Sequence, residues 1–125
     1  YVSDVDQTLN EVAGIRLPDV SVPLYTNTGW NPRHHSIGNE GLLIGITGGL
    51  AGSSVLLPIT EADRDKSGDP RPSLEILYKS KEEYMDKVKY EVKKLVQAGY
   101  LLVDDIEDVC SQASDRYEHV FDTND

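Results

Sequence analysis

The stretch TGWNPRHHSIG, residues 28–38, sets His34 and His35 directly before Ser36, with Gly38 two positions further on. Those residue types could supply a serine nucleophile and its base. An activated serine of the elbow type reads G-x-S-x-G and stands on a sharp bend between a buried strand and a helix, which exposes its oxygen. Around Ser36 the first glycine is replaced by His34. Asn31-Pro32-Arg33 precede it where an apolar strand is needed, and Gly38 and Gly41 follow where a helix should run. Triad members also meet in space from separate loops rather than as sequence neighbours. Ser36 is therefore expected to be a loop hydroxyl, and His34 and His35 solvated loop histidines.

A second candidate is Thr47-Gly48-Gly49-Leu50-Ala51-Gly52-Ser53, which follows the apolar residues 42–46 and imitates a dinucleotide-binding turn. That motif needs a helix of several turns behind it, so that the pyrophosphate meets a helix N-terminus. Pro58 arrives too early for such a helix, and no lysine follows for a phosphate loop. The glycines are better suited to close backbone packing. Metal chemistry fares no better. His34 and His35 lack further ligands at a useful spacing, and His119 stands near the far end. Asp63, Asp65 and Asp69 resemble a calcium loop, but the spacing fails and no glutamate stands at the twelfth position. Glu82, Glu83, Asp104, Asp105, Glu107 and Asp108 suit helix first turns, where they favour the macrodipole. No catalytic set, metal site or cofactor site is complete.

The elements that would position these residues fall into two halves. Residues 1–11 read as a loop with a tight turn. Residues 12–17 read as a short strand closed by Pro18, and 20–25 as an edge or irregular strand demoted by Pro23. Residues 26–41, rich in glycine, asparagine and proline, read as loop. Residues 41–60 form a charge-free run long enough to span a bilayer. Its five glycines, its Pro58 and its acidic flanks Glu40, Glu61 and Asp63 argue instead for two buried apolar segments around a glycine-rich turn.

From Thr60 onward the pattern is helical. Thr60 and Asp63 make an acidic variant of the capping box, opening a helix that ends at Gly68. Asp69-Pro70-Arg71-Pro72-Ser73 is a rigid, extended connector, since each proline fixes its own φ and restricts its predecessor. Residues 73–78 suit one or two helical turns. Ser80 and Glu83 open a longer helix with a buried stripe at Tyr84, Val88, Val92, Leu95 and Val96, closed by Gly99. A final helix starting near Asp104 is expected to bury Ile106, Val109, Cys110, Ala113 and Tyr117. Cys110, the lone cysteine, then serves as a small core residue.

The 125 residues allow one domain, and 22 acidic against 12 basic residues give a net charge of −10. A field of that sign repels polyanions, so nucleic acid and anionic membrane surfaces are poor partners.

Four blocks in one order carry a resemblance: NEVAGIRLPDVSVPL at 10–24, TGWN at 28–31, SGDPRPSLEILY at 67–78 and AGYLLVDDIEDV at 98–109. Together they resemble the C-terminal part of a family of large α/β-hydrolase-domain proteins, bacterial and often secreted. The resemblance implies an ester hydrolase of secreted or periplasmic location. It implies that the catalytic serine and histidine precede the matching region, so this chain carries no catalytic residue and is inactive alone. Its partners would be the remainder of the hydrolase domain and a small ester substrate. Trp30 and Asn31 would line the substrate cleft, giving an apolar wall and an amide handle. The expected fold is α+β, with short strands and a long loop over residues 1–60 and a helical part over 61–125, completing an α/β-hydrolase in the parent. The rival reading is a non-enzymatic module whose acidic helical hairpin docks a basic partner.

Overall fold

The computed structural model describes residues 4–29, 31, 32, 36, 43, 44 and 52–123, with residues 31, 32, 43 and 44 described by backbone alone. The elements in chain order are α1 (Pro18–Ser21), β1 (Tyr25–Thr28), β2 (Asn31–Pro32), β3 (Leu43–Ile44), β4 (Ser53–Leu56), α2 (Glu61–Ser67), α3 (Leu74–Leu77), α4 (Lys81–Gln97) and α5 (Ile106–Asp122), the last entered through a single 3-10 turn, Val103–Asp105. The fold is α+β, with the strands in the first half and the long helices in the second. β1 pairs with β4 antiparallel, Tyr25 opposite Leu56 and Thr28 opposite Ser53. β2 pairs with β3 in the same sense. No helix among the described residues is long and apolar enough to cross a membrane.

The first residues are held by one carboxylate. Asp6 Oδ1 accepts from the Thr8 N–H at 2.8 Å, the Thr8 hydroxyl at 2.6 Å and the Asn10 N–H at 3.3 Å. This is the local bonding that makes aspartate a turn residue. Arg16 pairs with the other Asp6 oxygen and donates to the Val20 carbonyl at 2.9 Å. Asn10, fully buried, then reaches β1: its amide donates to the Tyr25 carbonyl at 3.0 Å, and its oxygen accepts from the Asn27 N–H at 2.8 Å.

Residues 12–17 are not the expected strand. Among the described residues the only ladder contact nearby is the bridge between Val5 and Glu11, and Val12, Ile15 and Leu17 are exposed with no described strand to extend against. The irregular strand expected over 20–25 is corrected as well. Pro18 sits at the start of a helical turn, where its fixed φ and missing N–H carry no penalty, and the strand begins only at Tyr25. The stretch 26–41, read as loop, contains most of β1 and all of β2. Residues 45–51 of the glycine-rich run lie outside the described residues. Of its second apolar segment, Leu57, just past β4, is buried and Leu56 is partly buried, but Val55 is half exposed, so β4 itself is not a buried strand.

The helices follow their local chemistry closely. α2 has both halves of the capping box, with Thr60 Oγ1 accepting from the Asp63 N–H at 3.1 Å and Asp63 accepting in return from the Thr60 N–H at 3.3 Å, and it closes at Gly68. α3 follows Ser73, and its first free N–H groups are taken by the carbonyls of Pro58 at 2.8 Å and Ile59 at 3.0 Å. α4 begins at Ser80, whose hydroxyl accepts from the Glu83 N–H. It ends with Gly99 at φ +81°, a conformation open to glycine without strain. There the Gly99 N–H reaches the Val96 carbonyl and the Tyr100 N–H the Leu95 carbonyl. That is the two-bond termination of a Schellman motif.

α4 buries Tyr84, Val88, Val92 and Leu95, and its polar face carries the Lys87–Glu83 and Lys94–Glu91 pairs. Val96 is half-buried. α5 packs on α4 and buries Ala113 and Val120, while Ile106, Val109, Cys110 and Tyr117 are partly buried against the same core. Val22, Leu24 and Leu57 complete that core from the ribbon side. An aromatic run crosses it: Tyr78 meets Tyr84 edge-on at 5.1 Å, Tyr84 meets Tyr117 at 5.1 Å, and Tyr117 stacks on Phe121 at 4.4 Å. The Tyr78 hydroxyl donates to the Pro23 carbonyl at 2.8 Å, and burial pushes its pKa up, so it stays protonated.

Arg71 joins the halves. Its Nε and Nη2 grip the Asp69 carboxylate, Nη2 at 2.6 Å. Nη1 donates to Thr26 Oγ1 and to the Val55 carbonyl, both at 3.0 Å, and Nη2 to the Leu56 carbonyl at 2.9 Å. Thr26 passes the link on by donating to the Thr8 carbonyl at 2.5 Å. Arg71→Ala leaves buried acceptors unmatched and is expected to cost about 3 kcal/mol. Arg71→Lys, which keeps the charge but loses the planar fork, should recover less than half of that. Urea unfolding measures both, and a loss within the error of the midpoints would contradict the role.

The carboxylates predict an acid limb. Hydrogen bonds from Arg71 hold Asp69 below the usual carboxylate range, against the opposing effect of burial. Burial pushes Asp6 upward, but the bonds from Thr8 and Arg16 outweigh it and its pKa is also lowered. A lowered folded pKa gives stability that is present above the unfolded value, near about 4, and lost as pH falls through the folded value. The unfolding free energy should therefore fall as pH drops below about 4, and Asp69→Asn should flatten that slope.

Candidate functional site

The expected cleft residues begin where β1 ends. β1 closes at Thr28, the first residue of TGWN. Trp30 lies outside the described residues. Asn31 is described by its backbone, paired with Ile44 in the β2–β3 ladder. What holds the entrance to TGWN is a close approach of two chain segments. A Cβ built on Gly52 would strike the Thr28 carbonyl and also crowd the Gly29 Cα, whereas one built on Gly29 meets nothing within 4 Å among the described residues. Glycine at 52 is thus a packing requirement and sets how the chain leaves the ribbon.

One residue back from that end, Asn27 faces Ser54, and the Ser54 hydroxyl donates to Asn27 Oδ1 at 2.8 Å. These two residues and Tyr25 form one wall of a cleft of about 470 Å³ whose opposite wall is the Asp115, Arg116 and His119 side of α5. The floor is apolar, built from Val22, Leu24 and Tyr84. Arg116 crosses from α5 to α1, donating to Asp19 at 2.7 Å. Burial pushes the Tyr84 phenol up against the opposing pull of Arg116, so it lines the floor as a neutral group. The cleft therefore offers an apolar base, a guanidinium, an exposed imidazole and amide and hydroxyl groups. It can orient a polar small molecule. Its serine is bonded to an amide rather than to an imidazole, so the geometry does not activate that oxygen.

The other candidates are placed as follows. Ser36 is described and exposed, while His34 and His35 lie outside the described residues, as do residues 47–51 of the glycine turn. Asp63 is used in its helix cap and Asp69 on Arg71, and no group of three or more possible metal ligands occurs among the described residues. Glu82 and Glu83 stand in the first turn of α4, and Glu107 and Asp108 in that of α5. The cleft residues were missed by reasoning along the sequence, because Asp19, Asn27, Ser54 and Arg116 come from four distant segments. Their one sequence signal, the polar positions Asp115, Arg116 and His119 within a turn of α5, is shared by any solvated helix face.

Substitution separates the two glycines. Gly52→Ala is expected to lower stability by about 1–3 kcal/mol through overpacking. Gly29→Ala, with open space around it, should stay within about 0.5 kcal/mol of the parent protein. Equal urea midpoints for the two variants would refute the packing account.

Comparison with known proteins adds the family. No curated protein and no solved structure gives a match. A family model described as an alpha/beta hydrolase domain matches residues 2–111. The matched span takes in the Asp6 turn, the ribbon, the Arg71 clamp, all of α4 and the start of α5, and by that span the chain belongs to the alpha/beta hydrolase domain family.

Proposed function

We propose that this chain is the C-terminal, supporting part of an alpha/beta hydrolase acting on an ester, with the nucleophile, acid and base supplied by polypeptide outside it. The observation that carries this reading is the family match over residues 2–111, which includes TGWN and the connector holding Arg71. The use of the polar groups supports it. Arg71, Asp69, Thr26 and Asn10 are spent on holding the ribbon, and Ser54 is bonded to Asn27. In this reading the segment fixes one wall of a substrate cleft, with Trp30 as an apolar surface and Asn31 as a hydrogen-bonding handle for the acyl or alcohol part.

Aryl ester hydrolysis tests the reading. The 125-residue chain should turn over p-nitrophenyl acetate no faster than buffer. Turnover abolished by Ser36→Ala or by Ser54→Ala would place the nucleophile here and overturn the proposal. In a hydrolase chain containing this segment, Trp30→Ala should raise KM more than it lowers kcat, the pattern of lost uniform binding. An unchanged KM would remove Trp30 from the cleft wall.

A further inference from the structure

A second cavity, of about 780 Å³, shares Val22 with the first and lies between the Asp6 turn, the Val22–Pro23 segment and one face of α4. Its base is apolar, with Val22, Pro23 and Tyr78 buried and Leu77 partly so. Its rim is anionic: Asp6, Glu83, Asp86 and Glu91 line it, against the one ammonium of Lys87. This size and this pairing of apolar base with few polar groups are those of a small-molecule site.

One arrangement occurs twice along α4, once in this cavity and once at its edge, where Lys94 itself lies outside the lining. Lys87 Nζ lies 5.2 Å from the Tyr78 ring centroid, bonded to the Glu83 carboxylate at 2.9 Å and the Leu77 carbonyl at 2.7 Å. Lys94 Nζ lies 5.3 Å from the Tyr90 centroid, bonded to Glu91 at 3.2 Å. Each is an ammonium held between a carboxylate and an aromatic face. Between them on α4 stands a third carboxylate, Asp86, three residues after Glu83 and four before Tyr90. Those offsets put it beside both on the helix surface. Among the described residues Asp86 has no cation of its own, and Tyr90, 64% exposed, has ring surface left over.

From this geometry we propose that the cavity binds a small aromatic amine. The ammonium pairs with Asp86 beside the Tyr90 ring, and the apolar body lies on Leu77, Tyr78, Pro23 and Val22. The net charge of −10 attracts a cationic ligand of this kind to the molecule. The proposal is independent of the hydrolase reading, since the cavity shares only Val22 with the cleft beside Asn27 and Ser54.

Titration of the full chain with 2-phenylethylamine at low ionic strength, followed by amide shifts in an NMR correlation spectrum, tests it. Saturable shifts are expected along residues 77–91, with 3-phenylpropionate giving none. Asp86→Asn and Tyr90→Ala, both at exposed positions, should each weaken binding by about threefold or more while leaving the spectrum elsewhere unchanged. The proposal would be overturned by no saturation up to the solubility of the amine, equal binding of the carboxylate, or wild-type affinity in both variants. Equal affinity for trilysine would also overturn it, because the aromatic body would then contribute nothing.

Discussion

The fold rests on a guanidinium. A two-stranded ribbon is marginal in water by itself, and β1–β4 has only four residues on each strand. Arg71 supplies what the ribbon lacks. It is 8% exposed, and all three of its nitrogens donate to Asp69, Thr26, Val55 or Leu56. Asp69 offsets the cost of burying the charge, and the Thr26 hydroxyl and two carbonyls take the remaining protons, the condition under which a buried ion can be tolerated. The prolines on either side limit the backbone conformations open to Arg71, so less freedom is lost when it engages.

From that clamp a chain of contacts runs outward. Thr26 accepts from Arg71 and donates to Thr8, which ties the Asp6 turn to the connector through one hydroxyl. The connector leads into Ser73, whose hydroxyl donates to Glu61 at 2.5 Å and so joins α2 to α3. α3 ends in Tyr78, which bonds the Pro23 carbonyl and meets Tyr84 of α4. The polar links and the aromatic run thus bring distant parts of the chain to the same core. Hydrophobic burial by Leu24, Leu57, Leu74, Val88 and Val92 then supplies the larger, non-directional part of the stability.

The helical half was legible in the sequence because its signals are local. Thr60 with Asp63, Ser73, Ser80 and Gly99 each act within a turn of themselves and cap their helices, although Glu83 accepts from the Lys79 N–H and does not close a box on Ser80. The front half was not, for the opposite reason. Whether residues 12–17 form a strand depends on a partner that the local pattern cannot reveal. Pro18 favours a helical turn as readily as it ends a strand. Asn10 and Arg71 read as a loop amide and a connector charge, and their roles come from β1 and β4, 15 and 16 residues away in the bonds to Tyr25 and Val55. The cleft beside Asn27 and Ser54 was hidden in the same way, its Arg116–Asp19 link spanning 97 positions. The α+β architecture and the family were both readable from the chain; the lining of the cleft beside Asn27 and Ser54 was not.

The Asn10 carboxamide does for the outer side of β1 what another strand would do, answering one carbonyl and one N–H two residues apart. Arg71 occupies the Leu56 carbonyl on the opposite rim. An incoming extended peptide therefore finds its docking groups at Tyr25, Asn27 and Leu56 already taken, so templated polymerisation through these rims is disfavoured.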